Sequence, residues 1–170
     1  MAGAVGAAAF AWPFIDQMRP DASTLALATI EVDVSASEPG MSLTVKWRGK
    51  PVWIVRRSPE MLESLKTPSP DLIDPNSLRD QQPEYARNAT RSVRPEVFVA
   101  VGICTHLGCV PIANEGDYAV VEGSAKHGGW FCPCHGSHYD TAGRIRKGPA
   151  PQNLAVPAYS YLSDSKIRIG

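Results

Sequence analysis

All four cysteines of this 170-residue chain lie in two short boxes, "CTHLGC" at residues 104–109 and "CPCHGSHYD" at residues 132–140. Box one offers Cys104 and His106 one residue apart, then Cys109; box two offers Cys132 and Cys134 one residue apart, then His135. Thiolate and imidazole are the side chains that hold soft and borderline transition metals. Three assignments compete. A structural zinc could take two cysteines and two histidines in a closed tetrahedral site, but the ligands are more tightly spaced than in most zinc pairs. Choosing Cys104, His106, Cys132 and His135 for zinc also leaves Cys109 and Cys134 beside the metal without a role. Two plain disulfides give the histidines nothing to do. A binuclear iron–sulfur centre, with Cys104 and Cys132 on one iron, His106 and His135 on the other, and Cys109 bridged to Cys134, employs all six residues.

The third assignment has a definite electronic consequence. A [2Fe–2S] core in its ferric state carries two positive charges, so two thiolates and two neutral imidazoles make a neutral site that one electron turns into a monoanion. Four thiolates would carry the same step from dianion to trianion, which is harder in a medium of low dielectric, so the histidines raise the potential. An imidazole bound through one nitrogen also leaves the other free to carry a proton, and added negative charge nearby favours the protonated ring. Electron and proton uptake then travel together.

The rest of the chain must position these loops. "TIEVDV" puts Ile30, Val32 and Val34 on one face, "MSLTVKW" alternates likewise, and "RGK" turns the chain into "PVWIV", which predicts strands paired antiparallel. "SPEMLESL" predicts a short helix with Ser58 as N-cap, Pro59 at its first position and Glu60 in its first turn. Residues 67–95 are polar and proline-rich and predict a long excursion with little regular structure, functional or packed on the domain. "VFVAVGI" leads as a buried strand directly into the first cysteine, and "DYAVVE", "GWF", "GRIRKG", "LAVPAYSYL" and "KIRIG" complete an all-β plan.

Seventeen basic and seventeen acidic residues leave no net charge, and no basic stripe speaks for a nucleic-acid partner. The N-terminus is uncharged from Ala2 to Ile15, shorter than the roughly 20 residues a membrane-spanning helix needs and without a basic start. Small residues ending in Trp12 and Phe14 predict the C-terminal part of a membrane anchor over 1–15, shortened at its start. A linker follows at 16–28, then a domain over 29–170 whose cluster-binding part spans about 103–151.

"CTHLGC" with "CPCHGSHYD" closely resembles the Rieske iron–sulfur subunit of the cytochrome bc1 complex, the translocase that is the respiratory ubiquinol:cytochrome c oxidoreductase. "RIRKGPAP" resembles that family's proline loop beside the cluster and "DASTLALA" its hinge, so the likeness runs over nearly the whole chain. It implies an antiparallel β sandwich with a small cluster-binding subdomain and an N-terminal transmembrane helix. It implies one [2Fe–2S] cluster per chain with Cys104, His106, Cys132 and His135 as metal ligands and a Cys109–Cys134 disulfide clamping the two loops. His135 is then the quinol contact and proton acceptor, with His106 its exposed companion. Ser137 is placed to donate to a bridging sulfide and Tyr139 to the Cys104 sulfur, each raising the potential. Leu107 shields the cluster and borders the quinone contact, Gly108 and Gly136 permit tight turns, and Gly148, Pro149, Ala150 and Pro151 wall the cluster in. His127 falls in a surface loop and His138 holds structure beside box two. The implied partners are cytochrome b, a c-type cytochrome, ubiquinol and the membrane. The implied location is a bacterial inner membrane with a single-pass anchor and the head on the periplasmic side. Bacterial members usually carry a paired-arginine export signal, which Arg56 and Arg57, in mid-strand, do not supply. Soluble Rieske ferredoxins share the four ligands but generally lack the two extra cysteines, which favours the quinol-oxidising branch.

Overall fold

A computed structural model of the chain describes residues 2–17, 28–113 and 128–170. Helix α1 spans Ala2–Asp16 with Pro13 inside it. At 1.5 Å per residue its 15 residues reach about 22 Å, and among the described residues no helix is long and apolar enough to cross a membrane. The predicted linker falls largely on residues 18–27, outside the described residues, as do "DYAVVE" and His127.

From Ile30 onward the described residues build three antiparallel sheets. The first holds β1 (Ile30–Asp33), β9 (Tyr159–Tyr161) and β10 (Lys166–Ile169), in the order β1-β10-β9. The second runs β2 (Ser42–Trp47), β3 (Lys50–Arg56), β4 (Val97–Val101) in that order. The third runs β5 (Ile112–Ala113), β6 (Trp130–Cys132), β7 (Ser137–Tyr139), β8 (Ile145–Lys147).

The β2–β3 hairpin forms where alternation predicts it. Arg48 and Gly49, with φ of 48° and 76°, make the two-residue connection between Trp47 and Lys50, and positive φ at both central residues suits the right-handed twist of the flanking strands. The three predicted N-terminal strands do not form one ladder, however. Strand β1 leaves β2 and β3 and pairs with β10, Ile30 opposite Ile169. Of "LAVPAYSYL" only Tyr159–Tyr161 is strand. Pro157 has no N–H to give a ladder, and the amides of Leu154 and Val156 bond instead to Gly143 O and Gln81 O at 2.8 and 2.7 Å.

The core joins the middle sheet to the other two: Val52, Ile54, Phe98, Val99, Leu154, Ile167 and Ile169 are almost wholly enclosed, each worth about 1.5–3 kcal/mol of apolar burial. Trp53 and Trp130 stack at 5.2 Å between the second and third sheets. Helix α2 (Pro59–Lys66) starts as its sequence predicts, the Met61 N–H donating to Ser58 Oγ at 3.3 Å. The excursion at 67–95 holds one 3-10 turn, Glu84–Ala86. Its order comes from satisfied polar groups: Asp74 accepts from the Leu78 and Arg79 amides at 2.9 and 3.2 Å, and Gln82 Nε2 donates to Ser77 O and Arg79 O at 2.7 and 2.6 Å.

Candidate metal centre

Strand β4 delivers box one directly from the core. The loop closes on itself, the Cys104 N–H bonding to Cys109 O at 2.8 Å and the Gly108 N–H to Cys104 O at 3.1 Å. Box two is the turn of the β6–β7 hairpin, with Cys132 opposite Ser137 and the Gly136 N–H on Cys132 O at 2.9 Å. The proline loop lies against this turn. A Cβ on Gly148, whose φ is 103°, would sit 2.5 Å from Gly136 O, so only glycine allows so close an approach. Ala150 N–H then donates to Ser137 Oγ at 3.2 Å, and Thr105 Oγ1 to Gln152 O at 2.6 Å, which ties the proline loop to both boxes.

The six predicted residues meet here in two layers. Cys104 and Cys132 are free thiols, each 2% exposed. Cys109 and Cys134 form a disulfide across the two loops with their Cα atoms 6.7 Å apart. Outermost, the His106 and His135 rings stand edge to face, 4.7 Å between centroids, with His135 exposed and His106 half-buried. Leu107 is at the loop tip, 71% exposed. The sulfurs of Cys109, Cys132 and Cys134 also lie within 4.8 Å of one another, but the disulfide removes two of them as ligands.

Period-two alternation along β7 sorts the residues after box two. Ser137 and Tyr139 share the face toward Cys104. The Tyr139 hydroxyl is 3.2 Å from Cys104 Sγ and accepts the Thr105 N–H at 3.2 Å. With Thr105 Oγ1 donating to Gln152, the phenol proton has two acceptors within reach, Cys104 Sγ at 3.2 Å and Thr105 Oγ1 at 3.3 Å. Burial, then the bond to Cys104, holds that phenol protonated well above the usual tyrosine range, so it is a standing donor. His138 faces the other way, against the Phe131 ring at 4.7 Å and opposite Lys147. Burial, then Lys147 and Arg146, pull its pKa down and keep it neutral, in keeping with a structural residue outside the ligand set.

The donor set suits a [2Fe–2S] cluster. Burial pushes the Cys104 thiol up, but donors from Tyr139, the His106 amide, Cys132 and Ser137 outweigh it and the net shift is downward, toward thiolate. Burial and the neighbouring Cys104 push Cys132 up. A thiolate at Cys104 disfavours a second at Cys132, so a pair of charged sulfurs here calls for a cation between them. His106 Nδ1 is buried without a partner, as expected of a nitrogen aimed at a metal.

Comparison with known proteins supports the [2Fe–2S] cofactor. Residues 75–160 match the family model described as "Rieske [2Fe-2S] domain", and residues 1–21 match "Ubiquitinol-cytochrome C reductase Fe-S subunit TAT signal". The latter assigns the N-terminus to a segment whose composition reads as a poor signal peptide. The chain is 52% identical over 170 residues to the "Ubiquinol-cytochrome c reductase iron-sulfur subunit" of Allochromatium vinosum, covering 99% of this chain and 82% of the relative. With the subunit of that name from Rickettsia felis it shares 49% over 168 residues, 98% of this chain and 85% of the relative. Among solved structures, a chain of a "Hyperthermophilic respiratory Complex III" superposes with a TM-score of 0.54 at 26% identity, covering 98% of this chain and 93% of that one. The soluble domain of Rieske protein II from Sulfolobus acidocaldarius shares the fold at 0.53, with 21% identity, over 83% of this chain and 76% of that one. A Rieske domain model over half of the chain and relatives of about 50% identity along nearly its whole length agree, and the chain belongs to the Rieske iron–sulfur subunits of ubiquinol–cytochrome c reductase.

Proposed function

We propose that Cys104 and Cys132 hold one iron of the [2Fe–2S] cluster and His106 and His135 the other, and that this subunit passes electrons from ubiquinol to a c-type cytochrome. The convergence of two buried free thiols with two outward imidazoles, beside a disulfide that uses the remaining cysteines, carries the reading. When bound, the cluster accepts one electron at a time. The protein's residues do the rest. His135, the more exposed imidazole, receives the quinol hydroxyl in a hydrogen bond and takes its proton. Leu107, at the adjoining tip, supplies the apolar edge against which a quinone ring and the cytochrome b surface rest. Tyr139 and Ser137 aim hydroxyl protons at the site and favour its more negative state, Ser137 being free to donate because its oxygen already accepts from Ala150. Gly108, Gly136 and Pro149 shape the loops that exclude water from the sulfurs.

Ligation is tested by labelling the histidines with ¹⁵N and recording pulsed spin-resonance spectra of the reduced protein. Two strongly coupled nitrogens are expected; spectra without them overturn the ligand assignment. Proton coupling has its own sign. Reduction favours the protonated imidazole, so the midpoint holds level in acid and falls as alkali removes that proton; a redox titration whose midpoint stays flat at all pH values removes His106 and His135 as proton acceptors.

The partners in this reading are cytochrome b and a c-type cytochrome of one membrane complex. The segment 1–15 serves as the anchor, 16–28 as the hinge, and the head at 29–170 faces the periplasm of a bacterial inner membrane. The disulfide supports an oxidising compartment, and the export-signal match supports passage across the membrane.

A further inference from the structure

The excursion at 67–95 carries a charged residue into the interior for which electron transfer as described has no use. The guanidiniums of Arg57, Arg91 and Arg144 are 2%, 0% and 2% exposed. All three converge on one short stretch, Asp140–Arg144, which leaves β7 directly after Tyr139. Arg57 donates to Thr141 O from Nε and Nη2 at 3.2 and 3.1 Å. Arg91 Nη1 donates to Ala142 O and Gly143 O at 3.0 and 3.3 Å. Arg144 Nε meets the Asp140 carboxylate at 2.7 Å. The other bonds of Arg57 and Arg91 go to neutral groups, among them Pro95 O at 2.6 Å, Leu154 O at 2.8 Å and the Gln82 side chain at 2.8 Å.

Neutral carbonyls satisfy donors without cancelling charge. Asp140 pushes back on both Arg57 and Arg91, and Asp74 on Arg91, but among the described residues neither guanidinium is hydrogen-bonded to a carboxylate. Burial pulls both Arg57 and Arg91 down to about 10, with Asp140 pushing back, so both stay charged at neutral pH. Enclosing an excess cation is costly when no anion answers it. The stretch they grip is continuous with Tyr139, whose hydroxyl touches the Cys104 sulfur.

We propose that Arg57 and Arg91 form a fixed positive field around the stretch that follows the cluster-bearing hairpin, and that this field raises the cluster's reduction potential by favouring its reduced, more negative state. The inference rests on the cluster described above. A field of this kind acts through the low-dielectric interior and needs no contact with the irons. The excursion thereby takes part in the redox chemistry through Arg91.

The test is a redox titration of the spin signal at neutral pH, on the full chain in its complex, with iron and acid-labile sulfide measured first. A wild type without sulfide defeats the cluster reading itself; everything that follows concerns the field alone. Arg91→Gln keeps an amide for the carbonyls but not the charge, and its midpoint falls with unchanged g-values. Arg91→Lys keeps the charge and stays near wild type. Asp140→Asn removes an opposing anion, and its midpoint rises. An unmoved midpoint in Arg91→Gln, a fall in Arg91→Lys as large as in Arg91→Gln, or no rise in Asp140→Asn overturns the proposal. Should Arg91→Gln not retain its cluster, Arg57→Gln takes its place with the same expected fall, and an unmoved midpoint there overturns the proposal.

Discussion

Replacing His135 with asparagine is expected to yield a chain with no acid-labile sulfide, no reduced-state spin signal and no quinol oxidation. An amide is a poor ligand for iron where an imidazole is a good one, and the outer iron would be left with His106 alone. The loss should be complete and confined to the site. His135 sits in the exposed turn of the β6–β7 hairpin, away from Ile54, Phe98, Val99 and Ile167, which are 2% exposed or less. Far-ultraviolet circular dichroism should therefore match wild type. The control is His138→Asn: its ring packs on Phe131 on the opposite face of the sheet, so it keeps the cluster. A His135→Asn protein with full sulfide and an unaltered spin signal would falsify the ligand assignment, and loss in both variants would shift the blame to hairpin folding.

The second large effect belongs to the clamp. With Cys109 and Cys134 both changed to serine, the loops lose a cross-link that closes a separation of 25 residues, worth about 3.5 kcal/mol on the loop-entropy account. The charges of the ligands are untouched. Stability of the loaded state should drop while the oxidised spectrum at low temperature keeps its shape. Heating while following visible absorbance measures this directly: bleaching is expected at a clearly lower temperature in the double serine variant, and in wild type pretreated with a dithiol. Identical bleaching curves would mean that the Thr105–Gln152 and Ala150–Ser137 bonds hold the loops by themselves.

The site was the most legible part of the sequence, because thiols and imidazoles are rare and each stood within three residues of a partner. Local rules also served well at Ser58, where capping depends on four consecutive residues, and at Arg48–Gly49, where a turn and its flanking alternation are read together. What escaped was non-local. Nothing near Ile30 announces a partner at Ile169, since strand pairing across a whole domain leaves no short-range mark. Strand β7 escaped because "SHY" was read as part of a ligand loop, although alternation along it explains why Ser137 and Tyr139 turn inward while His138 turns away. Arg57, Arg91 and Arg144 escaped because hydropathy assigns charge to the surface, and only the carbonyls of Thr141, Ala142 and Gly143 reveal why these three lie inside. Thr105 passed as a spacer between ligands; its amide and hydroxyl join Tyr139 to the proline loop.

The pairing of β1 with β10 bears on how the head comes into being. At about 5–20 residues per second, the ribosome needs on the order of ten seconds to bring Ile169 to a waiting Ile30. The β2–β3 hairpin can close almost at once, but β1 must idle as an unzipped ribbon until β10 has been made. During that interval its backbone is a sticky edge, and chaperones or membrane-targeting factors have a defined substrate to cover. Completion of the first sheet thus waits on arrival of β10.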